Sequence, residues 1–172
     1  MNTANIQFTL QDIYELHAQL ESAFVLSPGV RDENLLASAV YTPFQTFMEN
    51  DLYPSLYDKA AQLCYSLANN HPFTDGNKRT ALHSMYVYLI INGFDIMATQ
   101  QDVENMIIDI AAGNMTNTKL AQWLRENTVE IDTNFVIRQG YIGLYKLEQA
   151  CSISNRPPIY RVLRNRTGLF YF

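Results

Sequence analysis

Residues 71–79, with the sequence HPFTDGNKR, place an imidazole, a carboxylate, a glycine, an amide and two cations within nine positions. An apolar run follows at once, so the segment is expected to stand at the start of a helix. The first turn of a helix has unpaired backbone N–H groups and a partial positive charge, and both attract anions. The segment therefore has the composition of a phosphate-binding site.

Each polar residue of this segment suggests a separate task. Gly76 allows a ligand to approach the backbone closely, and Asn77 can donate and accept hydrogen bonds. Lys78 and Arg79 supply charged donors, and a guanidinium can hold a phosphate with two parallel hydrogen bonds. Asp75 would repel a phosphate unless a cation lay between them. Mg²⁺ is the natural cation, because it binds carboxylates together with phosphate oxygens.

His71 lies four residues before Asp75, on the loop side of the expected helix. A neutral imidazole there could take the proton from an attacking hydroxyl group. A base, a metal ligand and a phosphate clamp are the parts of a transfer reaction from a nucleotide. Taken singly, each of these residues is more often structural, because Asp-Gly-Asn is typical of turns and Lys-Arg of solvated faces. The functional interpretation rests on their combination.

Helices must position this segment. Residues 1–132 show apolar residues at helical spacing in six stretches with short links, which predicts an all-α bundle of about six helices. Four helix starts are marked by the capping residues Thr9, Asp32, Ser55 and Thr99.

Around the segment, one helix is predicted to end near residue 69, and the next spans about residues 77–92, with Gly93 placed to end it. Residues 43–54 are expected to be irregular. His17 and His83 fall inside predicted helices and are expected to be structural.

The charge divides the chain at about residue 133. Residues 1–132 contain six Lys/Arg and sixteen Asp/Glu, a net −10, whereas residues 133–172 contain six Lys/Arg and one acid, a net +5. The basic part is rich in β-branched and aromatic residues, which predicts a small irregular or β-containing C-terminal extension. A stabilising extension is the first interpretation, a partner-like segment the second and nucleic-acid binding the least favoured.

The composition excludes several classes of protein. Hydrophobic residues make up 48% and charged residues 17% of the 172 positions, as in a globular chain. No apolar run approaches the roughly 20 residues that a membrane span needs. The first residues lack the basic and apolar pattern of a secretory signal, and the two cysteines lie in no metal-binding spacing. A cytoplasmic protein without a membrane partner is expected.

Residues 71–79 resemble the signature of the Fic/Doc family, His-x-Phe-x-(Asp/Glu)-Gly-Asn-(Gly/Lys)-Arg. Seven of these nine positions are constrained, so the signal is specific. The neighbouring stretches GVRDENLLASAV, YPSLYDKAAQLCYSLANNHPF and NKRTALHSMYVYLIINGF resemble the Doc (death-on-curing) branch. The resemblance covers about residues 6–127.

The resemblance implies the all-helical Fic fold, with ATP and Mg²⁺ bound at the motif. Residues 43–54 fall where the family places a flap that guides the target segment by strand-like pairing. The resemblance assigns catalysis to His71, Asp75 and Arg79, nucleotide binding to Gly76, Asn77, Lys78 and Arg79, and metal binding to Asp75.

Residues at three positions leave open whether the transferred group is phosphate or AMP. Members that transfer AMP have Gly at the position of Lys78 and a second Arg at the position of Leu82. The Doc branch shares the lysine, which implies transfer of a γ-phosphate to a protein hydroxyl, with translation elongation factor Tu as the candidate target. Gly76 is Ala in Doc, and this difference keeps AMP transfer open.

Regulation can also be expected from the resemblance. Self-inhibiting members carry Ser/Thr-x-x-x-Glu-Gly/Asn, and the nearest match, at residues 46–50, is one residue too short. The resemblance therefore implies a toxin that is restrained by a separate antitoxin. The alternative from another class is a catalytically inactive binding protein with the same fold, and the presence of both His71 and Asp75 argues against it.

Overall fold

Residues 6–131 are described by the structure, which is a computed structural model. They form six α-helices and two small two-stranded sheets, which confirms the expected all-α bundle of about six helices. Within this part of the chain, no helix is both long and apolar enough to cross a membrane. The C-terminal extension expected over residues 133–172 lies outside the described residues, so the domain boundary there remains a prediction.

The elements follow one another along the chain with short connections. The helices are α1 (Leu10–Phe24), α2 (Glu33–Tyr41), α3 (Leu56–Asn70), α4 (Asn77–Ile91), α5 (Gln100–Ala111) and α6 (Asn117–Asn127). The strands are β1 (Thr46–Phe47), β2 (Asn50–Asp51), β3 (Phe94–Ile96) and β4 (Thr128–Glu130).

Side chains cap the start of five helices. Thr9, Ser55 and Thr99 form complete capping boxes with an aspartate three residues later, and Asp32 accepts hydrogen bonds from two backbone N–H groups of α2. These four predicted starts are therefore confirmed. Thr116 caps α6 in a similar way. Helix α4 differs, because it begins after Gly76 and no side chain caps it.

Helix α4 lies in the centre of the bundle, packed against α3, α1, α5 and β3. Every residue from 80 to 90 is buried, so α4 presents no exposed face over three turns. Large buried side chains along it include Leu82, Met85 and Leu89. Because interiors are closely packed, a helix held on all sides can neither rotate nor slide without disrupting the core. The start of α4 is therefore a fixed point.

The expectation that residues 43–54 are irregular is only partly correct. After a single 3-10 turn (Thr42–Phe44), β1 and β2 form an antiparallel hairpin, and its two turn residues, Met48 and Glu49, both have positive φ angles. Such turns usually contain Asn-Gly, so Met-Glu offered no signal. Lys59 anchors the hairpin to α3, because its buried ammonium group lies 2.6 Å from Asp51 Oδ2.

The second sheet was not predicted. Strands β3 and β4 pair antiparallel, with Phe94 opposite Glu130 and Ile96 opposite Thr128. Ile131 extends this pairing, because its N–H donates to the carbonyl of Gly93 at 2.8 Å. Each strand has three residues, which is too short for alternation to be visible in the sequence.

The buried His83 of α4 should make the protein less stable in mild acid. Burial lowers the pKa of His83 to about 4, whereas an unfolded histidine titrates near about 6.5. Between these values the unfolded chain binds a proton that the folded chain does not. The free energy of unfolding should therefore decrease as the pH falls from about 6.5 towards 4, by roughly 2 kcal/mol at pH 5 from this group.

Urea unfolding of the wild type and of His83→Leu, at about pH 7 and pH 5, measures this effect. The carboxylates contribute equally to the pH dependence of both proteins. The difference between their two losses of unfolding free energy is therefore the contribution of His83. The wild type should lose more stability than the variant. Equal losses would show that His83 does not titrate as its burial requires.

Candidate functional site

The loop that carries the sequence motif joins α3 to α4. Helix α3 ends at His71, which has a left-handed backbone (φ 49°) and an exposed side chain. Histidine is among the few residues that adopt this conformation readily. Arg31 supports the helix end, because its Nη2 donates to the carbonyl of Asn70 at 3.1 Å. The candidate base is therefore held at a well-defined backbone position, with its ring open to solvent.

The turn between α1 and α2 supports the loop from one side. Val30 and Phe73 form an antiparallel bridge. Next to it, the Arg31 N–H donates to the carbonyl of Pro72 at 2.7 Å. Backbone hydrogen bonds of this kind place the loop independently of its own side chains.

Asn77 closes the loop on itself. Its side-chain Nδ2 donates to the carbonyl of Phe73 at 2.9 Å, and its Oδ1 accepts from the N–H of Phe73 at 2.8 Å. The amide therefore shapes the loop. The phosphate contact expected for Asn77 stays a prediction, and its backbone N–H, in the first turn of α4, is the group best placed for it.

Gly76 occupies a position where a side chain would be crowded and the backbone is left-handed. Its φ of 71° is left-handed, and a Cβ atom placed on it would lie 2.4 Å from Leu26 Cδ1. Only glycine adopts this backbone conformation without strain. The turn thus brings the chain close to Leu26 and starts α4 without a side-chain cap.

Asp75 is exposed beside this turn. Its Oδ1 accepts a hydrogen bond from the Gly76 N–H at 2.6 Å, and Oδ2 lies 3.4 Å from the Ser27 nitrogen. Among residues 6–131, no three His, Cys, Asp or Glu side chains gather as a metal-binding group. A single exposed carboxylate suits Mg²⁺, which keeps several waters and takes its other ligands from phosphates. The residues present therefore fit the expected metal.

Lys78 and Arg79 place two positive charges in the first turn of α4, and that turn contains no acid. Both residues are partly buried, and burial lowers the pKa of Lys78. The Arg79 guanidinium lies 5.0 Å from the centre of the Phe24 ring. Cations oppose the positive end of a helix dipole, whereas α1, α2, α3 and α5 each carry an acid there. The charge at this helix start is therefore of the sign expected for an anion-binding site.

His17 has a larger role than the structural one expected for it. Its ring stacks on Phe73, and Nδ1 lies 2.8 Å from Thr80 Oγ1. Burial lowers the pKa of His17, against the effect of the Glu21 carboxylate. The sequence shows only a histidine among the apolar positions of α1, and no local pattern reveals that it reaches the motif loop.

The six predicted site residues all lie in the loop and the first turn of α4, at positions 71–79. Hydrogen bonds connect Phe73, Asp75, Gly76 and Asn77 within this unit, and Arg79 is placed against α1. That the side chains of His71, Asp75 and Arg79 converge on one ligand remains a prediction.

Comparisons with known proteins point to one family. Residues 7–89 match the model of the Fic/DOC family. The protein named Toxin Doc of Mycolicibacterium smegmatis (strain ATCC 700084 / mc(2)155) is 51% identical over 69 residues, which are 40% of this chain and 53% of that protein. Protein kinase doc of Escherichia phage P1 is 26% identical over 115 residues, 67% of this chain and 90% of that protein. The chain thus spans about half the length of the first relative.

Substitution of Gly76 tests the constraint on the turn. Gly76→Ala should destabilise the protein, because alanine costs about 1 kcal/mol in a left-handed conformation and its Cβ would meet Leu26. Leu26→Ala removes the atom in contact, so the double variant should lose less stability than the sum of the two single variants. Urea unfolding of the four proteins measures the coupling. Strictly additive losses would mean that Leu26 does not limit this position.

Proposed function

We propose that the protein is a Doc-like toxin that transfers the γ-phosphate of ATP to a hydroxyl group of a target protein, because residues 7–89 match the model of the Fic/DOC family and two similar proteins are named as Doc proteins. Translation elongation factor Tu is the candidate target, and the cytoplasm is the proposed site of action. A separate antitoxin would restrain the toxin.

One observation carries the proposal: the uncapped start of α4 combines exposed Asp75 with two cations in the first turn. The backbone N–H groups of this turn and the side chains of Lys78 and Arg79 attract a polyphosphate. Asp75 opposes an anion by itself but suits one that arrives with Mg²⁺. A plain anion site would not need the carboxylate, so the combination favours a magnesium nucleotide.

In the proposed reaction, the target hydroxyl oxygen forms a bond to the γ-phosphorus, and the bond to the β-phosphate oxygen breaks to release ADP. His71 accepts the hydroxyl proton. Lys78, Arg79 and the first-turn N–H groups hold the phosphates and stabilise charge that develops on their oxygens. Asp75 would hold Mg²⁺, which supplies further neutralisation of phosphate charge when it is bound.

Lys78 favours phosphate transfer over AMP transfer. Its side chain is bulkier than the glycine of AMP-transferring members and adds a charge where the α-phosphate would lie. The name of the phage relative, Protein kinase doc, describes a kinase, which supports the same choice. Gly76 favours the second candidate, AMP transfer, because it matches the signature of those members.

The β1–β2 hairpin is the proposed contact for the target. Phe47, Met48 and Leu52 expose 64%, 78% and 51% of their surface. An exposed strand edge with apolar side chains can pair with an extended segment. Lys59 would keep this hairpin at a constant orientation to α3.

Labelled ATP tests the proposal. The protein is incubated with Mg²⁺, purified elongation factor Tu or a bacterial lysate, and ATP that is labelled at the γ- or at the α-phosphate. Label from the γ-position alone is expected. His71→Ala should lower the rate by about 10²- to 10⁴-fold, because the base is lost. Thr74→Ala is the matched control, because Thr74 is exposed in the same loop and its backbone hydrogen bond to Gly29 survives.

The alternative outcomes are distinct. Label from the α-position would replace phosphate transfer with AMP transfer. An absence of label in every target, with the wild type and His71→Ala alike, would favour the inactive binding protein.

A further inference from the structure

We propose that His17 is a positioning residue for the motif loop: it binds Phe73 and Thr80 together and so fixes the turn at Gly76 that presents Asp75. This inference deepens the proposed function and rests on it only where activity is measured. His17 lies on α1, at least 56 positions before the residues it holds, so the contact is tertiary.

The first contact is a stacked pair of rings. The centroids of His17 and Phe73 lie 3.7 Å apart and the ring planes differ by 17°. His17 is 3% exposed and Phe73 is 1% exposed, so water does not separate them. Phe73 stands between His71 and Asp75 in the chain. A shift of Phe73 would therefore move the backbone that carries both.

The second contact is a chain of hydrogen bonds. His17 Nδ1 lies 2.8 Å from Thr80 Oγ1, and Thr80 Oγ1 lies 3.0 Å from the carbonyl oxygen of Gly76. A neutral imidazole carries one N–H group: with Nδ1 unprotonated the Thr80 hydroxyl donates to it, and with Nδ1 protonated the hydroxyl accepts from it and donates to Gly76. Thr80 is fully buried, so no water can replace the histidine as its hydrogen-bond partner. The ring thus reaches the turn through one side chain.

The opposite edge of the His17 ring, formed by Cε1 and Nε2, also supports the motif loop. His17 Cε1 would lie 3.6 Å from a Cβ atom on Gly76, so the ring closes the space beneath the turn. Nε2 lies 3.0 Å from Glu21 Oε1, which also accepts from the Gly29 N–H at 2.9 Å. The carbonyl of Gly29 in turn accepts from the Thr74 N–H at 3.0 Å. Helix α1 therefore supports the loop at Phe73, at Thr74 and at the turn of Gly76.

These contacts distinguish positioning from ordinary filling of the core. An apolar side chain could occupy the same volume, but it could not form a hydrogen bond with Thr80. A histidine that served only the packing of α1 would not need its stacking partner and its hydrogen-bond partner to lie on the same short segment, residues 73–80. The stacking contact and the hydrogen bond both end on residues 73–80, so His17 supports the motif loop and not only the packing of α1.

Paired substitutions test the inference. Thr80→Val removes the hydroxyl at nearly constant volume, and His17→Phe keeps a ring on Phe73 but loses the hydrogen bond to Thr80. Thr80→Ser keeps the hydroxyl, and Ser22→Ala changes an exposed residue on the same helix. Amide hydrogen exchange is measured for residues 73–80 and for α5, and the transfer rate is measured with the labelled nucleotide.

In Thr80→Val and His17→Phe, exchange at residues 73–80 should rise about tenfold while exchange in α5 stays as in the wild type. The transfer rate should fall about 10- to 100-fold, as expected for a small displacement of catalytic groups, with a larger effect on kcat than on the KM for ATP. Thr80→Ser and Ser22→Ala should match the wild type in both measurements.

Wild-type exchange at residues 73–80 in both Thr80→Val and His17→Phe would overturn the inference. Equal acceleration in α5 would also overturn it, because His17 would then support the whole core. If His17→Phe does not fold, Thr80→Val and Thr80→Ser decide alone. If the wild type transfers no label but the exchange pattern holds, the proposed function fails and the positioning role stands.

Discussion

A left-handed backbone at Gly76 is the constraint from which the arrangement of the site follows. Glycine suits this turn, because its φ is left-handed and Leu26 Cδ1 occupies the space that a Cβ would need. It begins α4 without a side-chain cap, which leaves the first turn to Asn77, Lys78 and Arg79. Because α4 is buried along residues 80–90, the turn cannot relax by moving the helix. The core therefore holds this turn and the positive charges of the first turn of α4 in place.

Three parts of the chain that are distant in sequence meet at this turn. Helix α1 supplies His17 and Glu21, the α1–α2 turn supplies backbone partners at Gly29 and Arg31, and the α3–α4 loop carries the chemistry. Within the loop, the side chains of Asn77 and Asp75 add hydrogen bonds to its own backbone. This division suits a site that handles a charged ligand, because the other two segments supply much of the support for the residues that carry the chemistry.

The features that the sequence reveals are the local ones. Capping boxes at Thr9, Ser55 and Thr99 involve residues three positions apart, so the starts of α1, α3 and α5 could be predicted. The motif was likewise contiguous. The β1–β2 hairpin was missed because Met48 and Glu49 are unusual turn residues, and β3–β4 because its strands are short and far apart. The role of His17 depends on a tertiary contact, for which the sequence holds no spacing rule.

The complete burial of α4 has a consequence for how such proteins can diverge. A helix with solvent on one side can collect substitutions there at little cost, but residues 80–90 have no such side, and a change in volume at any of them is felt by several neighbours. New specificities would have to arise in the exposed loop, at the first turn or in the β1–β2 hairpin. The scaffold thus combines a buried helix that tolerates few substitutions with exposed segments that tolerate more.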